Sequence, residues 1–393
     1  MAGWISRFTG ADVVEMEVPR FSGWGRIRLL KIKSLLLPKA DSKKAEKWLC
    51  QAGGGGLLRS AREKLVEINY NPGTALFLSA GNGAAPFALA LAKATGQKCC
   101  TIMTPTTLGT APFNFAIIPE HDYPRSSPNL LVTLGAPNMI REDLLRDEGS
   151  SMLSRFPSEK DRRWGILIGG DDANYAIPPS WVGEVLLPLL EEAEIRDVEV
   201  YMTTSRRTLP ETEGRIEEAV RGLPHVRMLV LGARDPWNPV PGMLGACERI
   251  FCTEDSVSMI SEASTGGHVV QILRVGRQGG IRKALQDLTA KMVGKKLLPP
   301  QRLWGIPRFN LMIESFCGRG LAMEYDPERI DEKPLAHGKI NEDLSFNEAR
   351  RAAEWIIQGW KSEKSPSFCP NSTKAGWNAT SFGSQLNLPG RGT

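Results

Sequence analysis

The feature that most constrains the fold is a repeating unit made of a short apolar run, a glycine-containing turn and an amphipathic helix. Strand-length apolar runs occur at 75–79, 99–103, 115–118, 130–134, 164–168, 198–202, 228–231, 250–252 and 269–273. Strands that alternate with helices of this size predict parallel sheets with right-handed crossovers. The chain is therefore predicted to be an α/β protein with two Rossmann-like domains, whose parallel sheets face a central cleft.

Changes in composition divide the 393 residues into five parts. They are a first Rossmann-like domain at 1–140, a charged, loop-like linker at 141–163, a second Rossmann-like domain at 164–325, a helical segment at 326–361 and a tail at 362–393. The tail is rich in Ser, Asn, Gly and Pro and lacks an apolar period, which predicts disorder.

The net charge of the chain is concentrated at one end. Residues 1–48 hold ten Lys and Arg against five Asp and Glu, which supplies the whole net charge of +5. The neutral remainder excludes a generally cationic nucleic-acid binder. Within the basic end, residues 18–39 interleave cations with aromatic and apolar side chains, a pattern that suits an anionic membrane surface. The same pattern also fits a helix that covers the first sheet and keeps its charges in water.

Cysteine usage and targeting signals predict a cytoplasmic protein, peripheral at the inner face of the membrane if residues 18–39 bind there. The seven cysteines include no CxxC pair and no zinc-ligand spacing, so neither a disulfide framework nor a metal site is expected. The N-terminus lacks the apolar segment of a signal peptide. Residues 68–92 carry no charge, but Gly and Pro break them into a strand and the start of a helix, so no membrane span is expected.

Two candidate sites follow strands of the first domain. Gly81, Asn82 and Gly83 stand between a strand and a helix, where glycine lets the backbone approach a ligand; a tight βα turn is the other interpretation. The run Glu120, His121 and Asp122 follows the strand at 115–118. Titratable groups there can act as the general base that deprotonates a sugar or lipid hydroxyl. A solvated turn with local hydrogen bonds is the alternative.

Two polar groups follow the first strands of the second domain. Gly169 and Gly170 expose backbone amides that can meet a phosphate, and Asp171 and Asp172 can equally cap the next turn. The run 203–208 combines hydroxyl groups with two guanidinium groups directly after a strand. Because Arg binds phosphate bidentately, this run predicts an anion site; a surface arginine pair is the alternative.

The last candidate is the helix that begins near Ser256. Ser256 and Ser258 open this helix, and its N-terminal amides can hold a diphosphate. Glu262 lies one turn after Ser258 on the same face, where a carboxylate can accept hydrogen bonds from ribose hydroxyls. An N-capped helix with a solvated glutamate is the alternative.

These segments together resemble one family, the mitochondrial-fission "elongated mitochondria" family. The resemblance covers roughly residues 70–275 and is carried by the motifs at 119–122, 132–138, 203–208, 238–244 and 253–263. Members of bacterial type are regarded as glycosyltransferases of the GT-B type, in which the second domain binds a nucleotide-sugar. The resemblance implies that Glu262 contacts the ribose, and that Ser256, Ser258 and the arginine pair bind the diphosphate. The full predicted donor-binding set is Gly169, Gly170, Asn174, Thr204, Ser205, Arg206, Arg207, Asp255, Ser256, Ser258 and Glu262.

The chain departs from the family pattern in two places. Family members usually begin with a strand and a glycine-containing turn that lead to a Gln-bearing helix, and residues 1–7 are predicted to enter after that element. Members also tend to carry arginine after the glycine near position 81, where this chain has Asn82. Both departures bear on activity more than on fold.

The leading hypothesis is a GT-B glycosyltransferase that needs no metal and no cofactor. It would transfer a sugar from a nucleotide-sugar donor to a cell-envelope glycan or lipid-linked acceptor, with Gly81, Asn82 and Gly83 on the acceptor side. One alternative is a non-catalytic adaptor that kept the fold, which the two departures favour slightly. The other is a nucleotide-sugar epimerase of the same architecture. Nucleic acid is not an expected partner.

Overall fold

The computed structural model describes residues 1–19, 24–68, 71, 73–299, 302–330 and 346–362. These residues form two compact units. Unit 1 comprises Met1–Thr133 together with the described residues from Ala349 on, and unit 2 comprises Leu134–Glu348. The division falls at 133/134, seven residues before the predicted domain boundary. The tail predicted to be disordered lies, apart from Ser362, outside the described residues.

Unit 1 contains four strands and the first five helices. They are α1 (Ala2–Thr9), α2 (Trp24–Ser34), α3 (Ser42–Gln51), α4 (Gly55–Glu67), β1 (Leu76–Ala80), α5 (Gly81–Thr95), β2 (Lys98–Ile102), β3 (Phe115–Pro119) and β4 (Leu130–Thr133). The strands form one parallel sheet in the order β1-β2-β3-β4. Helix α3 starts where the Asp41 carboxylate accepts a hydrogen bond from the Lys44 amide at 2.8 Å, a standard N-cap.

The predicted glycine-containing turn after β1 is already helical. Helix α5 begins at Gly81, so Asn82, Gly83 and Pro86 all lie within it. Every residue from Ala85 to Ala92 is buried, and this burial favours a helix that starts directly at the end of the strand. The acceptor-side loop predicted at Gly81, Asn82 and Gly83 is therefore the first turn of α5, because the helix that carries the buried run Ala85–Ala92 starts directly at the end of β1.

Unit 2 contains the remaining strands and most of the remaining helices. They are α6 (Glu142–Arg155), β5 (Arg163–Ile168), β6 (Tyr175–Ala176), α7 (Pro179–Trp181), α8 (Leu187–Ile195), β7 (Glu199–Thr204), α9 (Pro210–Val220), β8 (Val226–Val230), α10 (Val240–Ala246), β9 (Arg249–Thr253), α11 (Val257–Thr265), β10 (Val270–Leu273), β11 (Gly276–Arg277), α12 (Ile281–Gly294), α13 (Ile306–Gly318) and β12 (Ala322–Glu324). A π-helical turn, Val182–Leu186, joins α7 to α8.

The main sheet of unit 2 has six parallel strands in the order β12-β10-β9-β5-β7-β8. Buried apolar residues cover both of its faces, as a parallel sheet flanked by helices requires. The prediction of two Rossmann-like units with parallel sheets is confirmed. The cleft between their sheets stays a prediction.

The last helix that the structure describes, α14 (Glu348–Ser362), belongs almost entirely to unit 1. Its Ala352 and Ile356 are buried with Phe115 of the first sheet, and the Trp355 ring meets the Phe115 ring edge-on with centroids 5.5 Å apart. The segment predicted as separate at 326–361 therefore ends in a helix that completes the core of unit 1.

The segment 141–163 is not the loop-like linker that its charges suggested. It holds helix α6, which packs against α10 through small residues. A Cβ atom at Gly149 would lie 3.1 Å from the Gly245 carbonyl carbon, and one at Gly245 would overlap the Leu145 carbonyl oxygen. Leu145, Met152 and Leu153 pack into the core from the same face, but Gly149 interrupts their apolar period and charged residues surround it, so the sequence was interpreted as a linker.

No helix in the described ranges is long and apolar enough to cross a membrane. The uncharged stretch at 68–92 contributes β1 and much of α5 instead.

The close contact of α6 with α10 predicts that Gly245→Ala destabilises the protein by about 1–3 kcal/mol, since the added methyl group forces the two backbones apart. Urea unfolding followed by circular dichroism measures the change. Gly214→Ala, in α9, is the matched control, because a Cβ there meets nothing within 4 Å. It should stabilise the protein by about 0.5–1 kcal/mol. Equal effects of the two variants would contradict the packing argument.

Candidate functional site

Four segments of unit 2 meet around a cavity of about 480 Å³. The first follows β4, the second is the start of α6, the third runs from the loop after β8 into α10, and the fourth is the exposed face of α11. The lining residues are Ala136, Pro137, Asn138, Met139, Ile140, Leu144, Glu148, Trp237, Asn238, Pro241, Ser258 and Glu262. The motifs at 132–138, 238–244 and 253–263, which are far apart in the sequence, therefore converge on one site.

The segment after β4 is fastened to α11. The Asn138 side-chain amide donates to the Ser261 carbonyl at 3.1 Å and to the Thr265 hydroxyl at 2.9 Å. The Ala136 amide donates to the Ser261 hydroxyl at 3.1 Å. A Cβ at Gly135 would lie 2.6 Å from that hydroxyl oxygen, so only glycine fits there. These contacts fix one wall of the cavity on the helix that carries Glu262.

Glu262 is the titratable group of the cavity with the clearest anomaly. Burial raises the pKa of its carboxyl group from 4.5 to about 7. Within the described part of the chain, no hydrogen bond or ion pair of the protein reaches this carboxylate. Ser258, one turn earlier on α11, is exposed and lines the same cavity. A half-buried carboxylate with unused acceptor capacity fits a ligand that brings hydroxyl donors.

The amides of Gly169 and Gly170, predicted to face a phosphate, are hydrogen-bonded within the protein. The Gly169 amide donates to the Thr253 hydroxyl at 2.7 Å, and the Gly170 amide donates to the Asp255 carboxylate at 2.8 Å. A Cβ at Gly169 would overlap that carboxylate. The glycine pair therefore admits the buried side chain of Asp255, and a phosphate would have to displace it.

The two arginines of the predicted anion site have different environments. Arg207 pairs with the Asp255 carboxylate at 3.2 Å and donates to the Gly170 carbonyl at 3.2 Å. Burial raises the pKa of Asp255, and Arg207 opposes that increase. Arg206 is exposed and makes no ion pair with any residue that the structure describes. Arg206 is thus the available cation of the pair.

The hydroxyl residues of the run 203–208 maintain the turn after β7. Thr204 is buried and donates to the Glu213 carboxylate at 2.9 Å. The Ser205 hydroxyl accepts a hydrogen bond from the Arg207 amide at 3.1 Å. The Thr204 proton is therefore used within the protein, whereas the Ser205 hydroxyl acts as an acceptor in the bond to Arg207.

The turn at 171–175 is capped by its own acidic side chains. One Asp172 carboxylate oxygen accepts from the Asn174 amide at 2.6 Å and from the Tyr175 amide at 2.8 Å. Asp171 accepts from the Ile177 amide at 3.0 Å. The side chain of Asn174 is buried and accepts a hydrogen bond from Gln286 at 2.8 Å. These hydrogen bonds agree with the alternative interpretation, in which the acidic side chains cap the turn.

The candidate residues of unit 1 lie at the carboxyl ends of its strands. Glu120, His121 and Asp122 form a single 3-10 turn directly after β3. Asn82, at the start of α5, accepts hydrogen bonds from the Thr106 amide at 2.6 Å and from its hydroxyl at 3.1 Å. Carboxyl ends of parallel strands share one edge of a sheet, so both groups stand at the edge where α/β proteins bind ligands. Their catalytic role stays a prediction.

Trp237 was not predicted as a site residue. It lines the cavity, stacks on Phe156 with centroids 5.9 Å apart, and carries the Arg155 guanidinium 4.6 Å above its ring. In the sequence, Trp237 stands directly before Asn238, where one of the family motifs begins. This position could have marked Trp237 as a candidate, but it does not show that the ring lines the cavity.

The fold and the site define a two-unit α/β protein whose second unit holds a cavity, lined by apolar residues and a few polar ones, beside the first turns of a helix. The family model described as mitochondrial fission ELM1 matches residues 26–360. The chain belongs to this mitochondrial fission ELM1 family, as its motifs indicated. No curated protein sequence matches the chain.

Several solved structures are similar to the chain at low identity. A UDP-GlcNAc 2-epimerase from Neisseria meningitidis, bound to UDP-GlcNAc, has 14% identity and a TM-score of 0.44, covering 91% of this chain and 95% of its own. A trehalose 6-phosphate synthase from Burkholderia multivorans has 11% identity and a TM-score of 0.41, covering 84% of each chain. The glycosyltransferase SnogD from Streptomyces nogalater has 14% identity and a TM-score of 0.35, covering 88% of this chain and 78% of its own.

The raised pKa of Glu262 makes a signed prediction for stability. Between pH 4.5 and about 7 the folded protein keeps a proton on Glu262 that the unfolded chain has released, so the free energy of unfolding falls as the pH rises through this range. The variant Glu262→Gln has no carboxyl group to titrate, so it does not lose stability in this way. The free energy of unfolding of the variant minus that of the wild type should therefore increase by up to about 3 kcal/mol between pH 5 and pH 8.

Urea unfolding of both proteins across this pH range measures the difference. Glu184→Gln is the matched control, since Glu184 is exposed and lies outside the cavity. A constant difference between Glu262→Gln and the wild type would show that the carboxyl group titrates normally.

Proposed function

We propose that unit 2 binds a nucleotide-sugar and that the protein is a glycosyltransferase. The observation that carries the proposal is the Glu262 carboxylate, which is half-buried, has a raised pKa and is free of protein hydrogen bonds within the described chain. The two hydroxyls of a ribose can both donate to one carboxylate, and such charge-assisted bonds are the strong ones. Ionised Glu262 is the acceptor, so donor binding should strengthen as the pH rises through 7.

In this proposal, the diphosphate of the donor binds at the start of α11. No side chain caps the first amides of this helix, and Ser256 and Ser258 stand beside them. Helix N-termini attract anions through these amides and through the helix dipole. Arg206, free of internal ion pairs within the described chain, supplies the positive charge. Arg207 holds Asp255, which positions the loop that leads into α11.

The proposed reaction needs charge stabilisation and a base. As the sugar leaves, negative charge develops on the nucleoside diphosphate, and Arg206 and the α11 amides stabilise it. One residue among Glu120, His121 and Asp122 removes the proton of the attacking acceptor hydroxyl. No step in this scheme uses a metal ion or a cofactor.

The proposed acceptor is a cell-envelope glycan or a lipid-linked one. The described part of residues 18–39 supports an acceptor at a lipid surface. Exposed apolar side chains lie there among cations, namely Leu29, Ile32, Leu35 and Leu36. The proposal includes peripheral attachment to the inner face of an anionic membrane through the same residues.

A non-catalytic adaptor is the second candidate. The observation that favours it is the internal use of the Gly169 and Gly170 amides and of Arg207, which leaves fewer groups to hold a diphosphate. An adaptor of this kind keeps the fold and binds no donor.

Nucleotide-sugar binding separates these functions. Thermal unfolding is measured with UDP-, GDP- and CMP-linked sugars, and a donor at a hundredfold its dissociation constant should add about 2.7 kcal/mol of stability. Calorimetry should then show that Glu262→Gln and Arg206→Ala each weaken binding by at least about tenfold, as loss of a charged hydrogen bond predicts. Glu184→Gln and Arg221→Ala, which alter exposed residues outside the cavity, should bind as the wild type does.

Three outcomes would contradict the proposal. If no nucleotide-sugar stabilises the wild type, the adaptor is favoured. If a donor binds equally well to Glu262→Gln and Arg206→Ala, the site lies elsewhere. If the donor sugar changes configuration without any acceptor, the protein is an epimerase.

A further inference from the structure

Helix α12 (Ile281–Gly294) carries an apolar stripe that no described part of the protein covers. The exposed fractions are 82% for Ile281, 50% for Leu285 and 53% for Leu288, and Leu297 just after the helix is 67% exposed. Spacings of four and three residues place the first three side chains on one face of the helix.

The attachment of α12 to unit 2 lies on the other side of the helix. Gln286 is its only buried residue, and the Gln286 side-chain amide donates to Asn174 at 2.8 Å. At 100° per residue, Gln286 points roughly 140° away from Ile281. The helix is thus held by the polar side chain of Gln286, while Ile281, Leu285 and Leu288 face outward. An amphipathic helix normally does the reverse, with its apolar face against the core.

The charge around the stripe is strongly positive. Residues 277–299 contain six Lys and Arg and one acidic residue, Asp287. Arg282 and Lys291 fall at the two edges of the stripe by helical spacing. Lys291, Lys295 and Lys296 make no ion pair with the described residues. Arg282 lies over the Trp304 ring, 5.1 Å from its centroid, which adds an aromatic side chain next to the helix.

We propose that α12 binds the surface of an anionic lipid bilayer, with Ile281, Leu285 and Leu288 inserted below the headgroups and the flanking cations on the lipid phosphates. Apolar residues between lysines and arginines on a helix that lies flat are the features of an interfacial helix. Each cation near an anionic leaflet adds to the attraction.

A second copy of this chain is a poorer occupant for the same face. A symmetric dimer places identical patches against each other, which here would bring two sets of cations together with one acidic residue each. An anionic bilayer supplies the opposite charge in its headgroups and an apolar environment for the side chains just below them. This surface belongs to unit 2 and is separate from residues 18–39 and from the nucleotide-sugar cavity.

Vesicle binding by the whole protein tests the proposal. The probe is co-sedimentation with vesicles of phosphatidylcholine and phosphatidylglycerol at 3:1, compared with pure phosphatidylcholine. The triple variant Ile281→Gln, Leu285→Gln, Leu288→Gln should lower the partition coefficient at least tenfold, and Lys291→Gln, Lys295→Gln, Lys296→Gln should lower it severalfold. Raising NaCl from 0.1 to 1 M should weaken binding, as the screening length falls from about 10 to about 3 Å.

The control is Ile195→Gln, which replaces an exposed isoleucine of unit 2 outside α12 and should leave partition unchanged. Amide hydrogen exchange of the wild type gives a readout independent of any variant: peptides covering 281–294 should gain protection when anionic vesicles are added. Unaltered donor binding by the α12 variants would show that the lipid surface and the cavity are independent.

Four results would overturn the proposal. Partition unaffected by the triple variant would leave residues 18–39 as the lipid contact, and unchanged exchange at 281–294 would exclude α12 directly. A dimer of the wild type in sedimentation velocity, lost in the triple variant, would assign the stripe to a second copy. Binding to polyglutamate as strong as binding to vesicles would assign it to an acidic protein.

Discussion

The site of unit 2 depends on the buried carboxylate of Asp255. It accepts a hydrogen bond from the Gly170 amide, fills the space over Gly169 and pairs with Arg207. Three loops that follow three adjacent strands, β5, β7 and β9, are thereby joined at one point. Burying a carboxylate is unfavourable unless it is hydrogen-bonded and paired, and these contacts do both for its Oδ2 atom, whereas the buried Oδ1 accepts no hydrogen bond from the described residues. The start of α11, with Ser256, is fixed as a result.

Glu262 contrasts with Asp255 although both are acidic residues in the same region. Burial raises the pKa of each, but Oδ2 of Asp255 accepts from protein donors, whereas the Glu262 carboxylate borders a cavity and no protein donor of the described residues reaches it. One therefore maintains the structure, and the other retains acceptor capacity. Two residues that look alike in a motif have taken separate roles, because one lies before the helix and the other lies one turn inside it.

Much of the fold could be predicted from the sequence. The apolar runs placed nine of the twelve described strands within one or two residues, because a buried parallel strand is apolar on both faces and leaves a continuous signal. The other three, β6, β11 and β12, have two or three residues and are too short to leave such a signal. The site was predicted in part. Ser258 and Glu262 do share a helix face and a cavity, since their spacing is a local property. The prediction for Gly169 and Gly170 did not foresee Thr253 and Asp255, which approach from more than eighty residues away.

Local pattern determined the strands, the α/β class, the family and the face of α11, because each depends on residues close together in the chain. Tertiary structure alone decided that α6 is a helix packed through Gly149 on α10, that α14 returns to the first sheet, and that Arg206 is available while Arg207 is not. It also left the stripe of α12 exposed. The physical reason is common to all of these: a polar group or an apolar face acquires its role from the partner that reaches it, and distant partners are chosen by the packing of the whole chain.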